Sequence, residues 1–439
     1  MTASTMEAQS ISGGGTPGTV RRSVALVAFA LLAGTAARSV ISPLQELAKA
    51  DIGLSDNQLA LLQGFAIALP LALVSIPIGR FVDRSNRSRL LLLLSLLFSV
   101  GSILTAFAHS FTTLLVARML VGGAFAGAVP AAVSLGSDLS STTTRGRVMA
   151  ILGLGQIVGS AVTFTLVGAL LEALPRLQSH LPIVSALAPW RIVQLAFAIA
   201  MLVLTGLLTL LAEPPRQEVG TSGGGNLGKT LIELRRYAKL LIPLGIGLTT
   251  IGIADSAAAI WAVPVLTRFF HQSPSDFGGW MGLAFLLSGL GGTAIGGLLA
   301  DFGQRTTGPR GVLIGAAVAS AVSLPAALFP IAPSVSSFAW LFGLLLGTGA
   351  CASVVATSAV AVLIPNELRG LTLSLLTAVG LIIAYGVAPS MVSLTAQAMG
   401  SGEDIRMALT LIGIGSSAIG LVAFVYAIRV AGQPAFAPR

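Results

Sequence analysis

Gly79-Arg80-Phe81-Val82-Asp83-Arg84-Ser85-Asn86-Arg87-Ser88-Arg89 is a polar, arginine-rich run set between two apolar stretches, 58–81 and 89–108. Each flank has about the 20 residues that an α-helix needs to cross a bilayer. The run therefore reads as a short loop between two membrane helices, with its arginines held at one surface. Part of it returns in the second half of the chain, where Gly297-Leu298-Leu299-Ala300-Asp301 closes another apolar stretch. Arg145-Gly146 and Arg369-Gly370 form a second such pair at nearly the same offset. Two parallel six-helix repeats are predicted, and that architecture places a transport site at the midplane between them.

Composition agrees. The chain of 439 residues is 54% hydrophobic and 9% charged, with a mean hydropathy of +0.91, whereas soluble domains run at about 25% charged. A water-facing surface cannot be built from so few charges. The fold class is all-α integral membrane, with spans predicted at 23–46, 58–81, 89–108, 112–136, 147–171, 191–212, 240–266, 279–300, 311–331, 337–363, 371–398 and 405–430. Residues 1–22 read as a disordered N-terminus, 23–212 as the first bundle, 213–239 as a linker, 240–430 as the second bundle and 431–439 as a tail. In the linker, Leu227 to Lys239 has the pattern of a short amphipathic helix lying on the membrane surface. Arg21-Arg22 before the first apolar run could pass for a signal sequence, but the run continues to Leu44 and reads as an uncleaved span.

The formal charge of +9 is explained by topology rather than by nucleic acid. Eighteen Lys and Arg fall on the N-terminal side of the predicted membrane against five on the other (Lys49, Arg176, Arg191, Arg268 and Arg406). This bias predicts cytoplasmic termini in a plasma, or bacterial inner, membrane. The single cysteine, Cys351, excludes an intrachain disulfide, and His109, His180 and His271 lie in separate predicted loops, so neither a metal nor a cofactor is expected.

The run 79–89 resembles the loop motif of the major facilitator superfamily, G-x-x-x-D-R-x-G-R-[RK], with Asn86 in place of the second glycine. Arg118-Met119-Leu120-Val121-Gly122 resembles its fourth-helix motif. Ala50 to Leu59, Gly64-Phe65-Ala66, Pro130-Ala131-Ala132, Arg145-Gly146-Arg147 and Glu213-Pro214-Pro215-Arg216 are similar to the spinster-like branch. The resemblance covers about residues 23–430. It implies a gate in which Asp83 accepts from a helix N-terminus and pairs with Arg145 or Arg147 when the cytoplasmic ends of the halves meet. Gly79, Arg84 and Arg87 belong to the same motif, and Asp301 and Arg305 to its repeat; the arginines serve equally well as topology determinants. Lipids and organic acids are the substrate classes the branch implies.

Charges inside spans are functional candidates. Arg38, Arg118 and Asp255 lie at comparable depth in spans one, four and seven, which line the cavity in this superfamily. The branch carries acidic residues where this chain has Ala37 and Phe125. Asp255, which follows Ala37 at the offset that separates Gly297 from Gly79, is the remaining carboxylate at that depth. Two arginines beside one carboxylate leave excess positive charge, which suits an anionic or zwitterionic amphiphile and predicts weak dependence on a proton gradient. The alternative is that the arginines bond helix-end carbonyls and serve structure alone. Trp261 reads as a cavity wall or an interface anchor.

Gly153 to Gly159 lacks the strand of a dinucleotide loop, and Gly155 and Gly159 suggest close helix packing instead. No Walker lysine and no catalytic constellation is found, so an enzyme is not indicated. The reading is a transporter working by alternating access, secondary active or facilitative, for a small organic anion or lysolipid-like amphiphile. Membrane lipids are its surroundings and protons a candidate coupling ion; the chain is expected to be a monomer. A multidrug exporter of broad specificity and a non-transporting receptor on the same fold are the alternatives.

Overall fold

The computed structural model describes residues 17–141, 143–180, 186–216, 232–400 and 405–433, with the side chains of residues 17, 75–80, 83, 177, 179 and 180 excepted. Residues 1–16, most of the linker, the end of the tail and the Asp83 carboxylate, on which parts of the sequence reading fall, lie outside the description. Among the described residues, twelve helices are long and apolar enough to cross a membrane. In order, these spans are Gly18–Ile52, Asp56–Val74, Arg87–Ala106, Phe111–Asp138, Arg145–Arg176, Pro189–Leu210, Ile232–Arg268, Pro274–Thr307, Pro309–Ile331, Val335–Leu363, Asn366–Ala398 and Ile405–Ala431. The chain is an integral membrane protein.

Serine starts several of these helices. Ser55, Ser110, Ser273 and Ser334 each close a capping box at the end remote from the arginine-rich loops. The Ser55, Ser110 and Ser334 side chains each take an N–H that has no partner within its helix. Asn86 does the same for span three at the arginine-rich end.

Of the differences from the expected spans, two change how a segment is built. Span one is longer than 23–46 and is interrupted at Val40, between helices Pro17–Ser39 and Ile41–Ile52. Pro43 explains the break, because it has no N–H for Ser39 and its ring crowds that carbonyl. The amphipathic segment is also not a separate surface helix over its described part. Residues 232–234 run through a 3-10 turn, Arg235–Tyr237, directly into Ala238–Arg268 of span seven. Leu234 is buried in the core there, which anchors this turn to the bundle.

Span one packs on spans four, five and six, and span three on spans four and six. Span seven packs on spans ten, eleven and twelve, while span nine packs on ten and twelve. Spans five and eight, and spans two and eleven, join the two sets. Gly155 and Gly159 bring span five onto span one, since a Cβ there would lie 2.6 Å from Ala28 O and 2.8 Å from Leu32 O. One apolar core, with Leu31, Phe98, Val121 and Trp190, lies within the first six spans. A second, with Leu244, Val355 and Phe424, lies at the arginine-rich end of the last six. A third, built on Trp261, Phe277, Phe338 and Phe342 at the opposite end, reaches across to Ala60 and Phe164 of spans two and five. That end is closed by apolar packing.

Candidate functional site: a cavity between the halves

Spans one, five, seven, eight, ten and eleven enclose a cavity of about 580 Å³. Its lining runs from Phe285 and Asp255 at mid-span to Val360 and Leu373, near the turn that joins spans ten and eleven at the arginine-rich end. Polar groups converge on it: Thr35 and Arg38, Gln156 and Ser160, Asp255 and Ser256, Ser353 and Thr357, Thr377 and Tyr385. Such a mixture of apolar wall and few polar groups is what small-molecule sites present.

Arg38 ends the first helix of span one. Its guanidinium lies 4.7 Å from the ring centroid of Tyr385 and 5.2 Å from that of Phe125. Two aromatic faces thus hold the cation without neutralising it. Its Nε is buried and donates to nothing. A carboxylate or phosphate entering the cavity would supply the missing acceptor.

Arg118 is 1% exposed and does not line the cavity. Its Nη1 donates to Ala37 O at 2.9 Å and its Nη2 to Arg38 O at 2.6 Å. These carbonyls belong to the last turn before the break in span one. Arg118 therefore fixes the backbone that carries Arg38, which makes it a positioning residue in this conformation.

Asp255 faces the same cavity from span seven, against span ten. A Cβ on Gly349 would stand 2.6 Å from Asp255 Oδ2, so glycine at 349 leaves the carboxylate room. Asp255 Oδ1 is buried without a hydrogen-bond partner. No ion pair joins Asp255 to an arginine among the described residues. The expectation of weak proton dependence rested on two arginines beside this group, and Arg118 is engaged elsewhere. Asp255 is the one acidic side chain in the described lining.

Trp261 is a correction. It is neither cavity wall nor interface anchor: it is fully buried in the apolar core, and its Nε1 donates to Pro389 O at 3.0 Å. Phe125 takes part through Arg38 alone.

The gate motif divides. Arg84, Arg147, Asp301 and Arg305 are exposed and Arg145 is half-buried. Arg87 does not reach across the halves. It is buried and pairs with Asp138 of span four, and its Nε donates to Glu213 Oε1 at 2.8 Å. Glu213 Oε2 accepts from Ser88 N at 2.8 Å. Burial pushes the Glu213 carboxyl up, but the hydrogen bonds from Ser88 and Arg87 outweigh it and hold the group below the usual range. Arg87 is thus a brace within the first six spans.

The opposite end holds a cluster not foreseen from the sequence. Arg268 donates to Glu46 Oε1 and Oε2 at 2.8 and 2.9 Å, and to Asp56 Oδ1 and Oδ2 at 2.7 and 2.9 Å. Lys49 also donates to Asp56, at 2.6 Å. Beside it Gln45 Nε2 donates to Ile260 O at 2.7 Å, and Gln45 Oε1 accepts from Gln63 Nε2. The bonds of Arg268 and of Gln45 Nε2 tie spans one and two to span seven, while Lys49–Asp56 and Gln63–Gln45 join spans one and two to each other. Tyr385 was missed as well, although an aromatic residue deep in a span and away from either interface is a usable signal.

The sequence profile of the Major Facilitator Superfamily matches residues 27–254, a little over half of the chain. The chain belongs to the Major Facilitator Superfamily. It is 31% identical over 212 residues to a triacylglyceride transporter of Mycobacteroides abscessus, covering 47% of this chain and 35% of that protein. It is 34% identical over 98 residues to a 3-(3-hydroxy-phenyl)propionate transporter of Escherichia coli K12, covering 22% of this chain and 24% of that protein. The matched region spans about a third or less of these curated relatives. The fold is also that of a bacterial homolog of the human lysosomal transporter Spinster, solved inward-facing and unoccupied, with a TM-score of 0.80, 19% identity and coverage of 96% of this chain and 98% of that one. A D-xylose-proton symporter gives a TM-score of 0.69 at 16% identity, over 91% of this chain and 97% of that one.

Proposed function

We propose that this protein is a spinster-like transporter that moves a small organic anion or zwitterionic amphiphile by alternating access. The observation that carries the reading is Arg38, a cation held by two aromatic rings on the wall of a cavity sealed at the opposite end. Arg38 takes the anionic group of the cargo. Asp255, across the cavity, takes a cationic or hydrogen-bond-donating group where the cargo has one. The apolar lining accommodates the remainder. A relative named for triacylglyceride and one named for an aromatic carboxylate are compatible with such a cargo. Sealed at the cluster around Arg268 and hollow toward the arginine-rich end, this conformation fits the inward-facing stage of the cycle, with that end cytoplasmic. Asp83, with Arg145 or Arg147, holds the converse stage.

A panel of carboxylates, phosphates, lysolipids and their neutral analogues tests the proposal through the melting temperature of the purified protein. Linkage requires a shift that grows with ligand concentration over its dissociation constant. Anionic or zwitterionic amphiphiles are expected to raise it. A panel in which neutral compounds alone do so contradicts the reading.

The cavity lining bears one carboxylate and no histidine. Whatever response uptake shows to an imposed pH gradient is therefore expected to reside at Asp255. In proteoliposomes with a clamped potential, Asp255→Asn removes that response while exchange down a gradient continues. A pH-gradient response that persists in Asp255→Asn places coupling elsewhere.

A further inference from the structure

A second hollow, of about 590 Å³, lies between the first turns of span seven and the middle of span eleven. Its walls include Ile242 and Ile246 of span seven and Leu375 and Val379 of span eleven, between 43% and 61% exposed. Side chains this apolar and this exposed, within spans, meet hydrocarbon. From Ala238 to Thr250 the groove extends about 18 Å at the rise of an α-helix, close to the half-thickness of about 15 Å of a bilayer core. It is a slot of the depth of one leaflet.

One end of the slot is charged. Arg235 is the charged residue of its lining; it is exposed and makes no ion pair among the described residues. Arg236 and Lys239 add positive charge on the same turns against Glu233. Behind the slot, Leu376 lines both this groove and the central cavity, and a Cβ on Gly245 would lie 3.0 Å from its Cδ2. The partition between membrane and cavity is one side chain thick here.

From this geometry we infer that the groove is a binding site for an anionic phospholipid of the membrane. Its phosphate lies on Arg235, and one acyl chain runs along Ile242, Ile246 and Val379. A lipid seated there buttresses the seam of spans seven and eleven, whose other face carries Asp255 and Tyr385. The site is distinct from the one proposed for the cargo and does not depend on what the cargo is.

Native mass spectrometry of the purified full-length protein tests this with phosphatidylglycerol and phosphatidylcholine of identical chains. The unmodified protein is expected to bind phosphatidylglycerol more tightly. A basic residue at a membrane surface contributes about fivefold in affinity for an anionic lipid, so Arg235→Gln should weaken phosphatidylglycerol by about that factor and leave phosphatidylcholine unchanged. Val379→Trp, which fills the slot, should weaken both, and its wild-type melting temperature would show that the protein is folded. Equal affinity of Arg235→Gln and unmodified protein for phosphatidylglycerol overturns the headgroup assignment. Unchanged binding of both lipids by a folded Val379→Trp overturns the groove itself.

Discussion

Arg118→Ala is expected to lower the melting temperature of the purified protein by several degrees and to weaken charged and neutral ligands alike. The guanidinium is buried and bonds two main-chain carbonyls at the break in span one. A hydrogen bond to a charged group contributes about 1.5–3 kcal/mol. Its loss also leaves Ala37 O and Arg38 O without these donors, the first of them at a buried bond. About 3 kcal/mol or more should therefore be lost. Arg118→Lys should recover little, because an ammonium is a point donor and does not reproduce the guanidinium fork. A variant with unchanged melting temperature that loses anions selectively would return Arg118 to the role of a ligand contact.

The second large effect concerns the balance between conformations. Arg268→Ala removes four hydrogen bonds that tie span seven to Glu46 and Asp56. Those bonds hold the opposite end closed, so their loss should favour the state in which that end is open. A change of about 3 kcal/mol amounts to about a hundredfold in the population ratio. Asp83→Asn should act the other way, by releasing the arginine-rich end. Ala259→Cys, in a Cys351→Ser background, reports both from the cavity lining through an impermeant thiol reagent. Labelling from the opposite end should rise with Arg268→Ala and fall with Asp83→Asn. If neither substitution changes labelling or transport, these groups determine topology alone.

The spans were legible because hydrocarbon demands long apolar runs and confines arginine to loops. The two ends of the molecule could be told apart on the same grounds. Side-chain direction was not legible. Rise per residue placed Arg38, Arg118 and Asp255 at one depth, but depth says nothing of which neighbour a side chain meets. Arg118 turned to the carbonyls of span one, one of the two roles open to it, while Arg38 and Asp255 reached the cavity. The break itself was marked by Pro43, a residue the sequence reading did not use. The cluster around Arg268 escaped for a different reason. Charges at the end of a span are read as topology, and pairing Arg268 with Glu46 and Asp56 requires contacts between opposite halves of the chain. Trp261 shows the same limit, since an aromatic residue near a span end serves an interface or a core according to neighbours that spacing does not reveal.

The central claim is that Arg38 receives the anionic group of the cargo, and one comparison tests it most directly. Affinity for a ligand found by thermal shift, and for its neutral analogue of equal size, is measured on unmodified protein and on Arg38→Ala by calorimetry. Losing a charge-assisted contact of about 1.5–3 kcal/mol predicts a loss of about tenfold to a hundredfold for the anion. The neutral analogue, held by the apolar lining, should bind nearly as before. Equal losses for the two ligands would contradict the account and make Arg38 a structural cation.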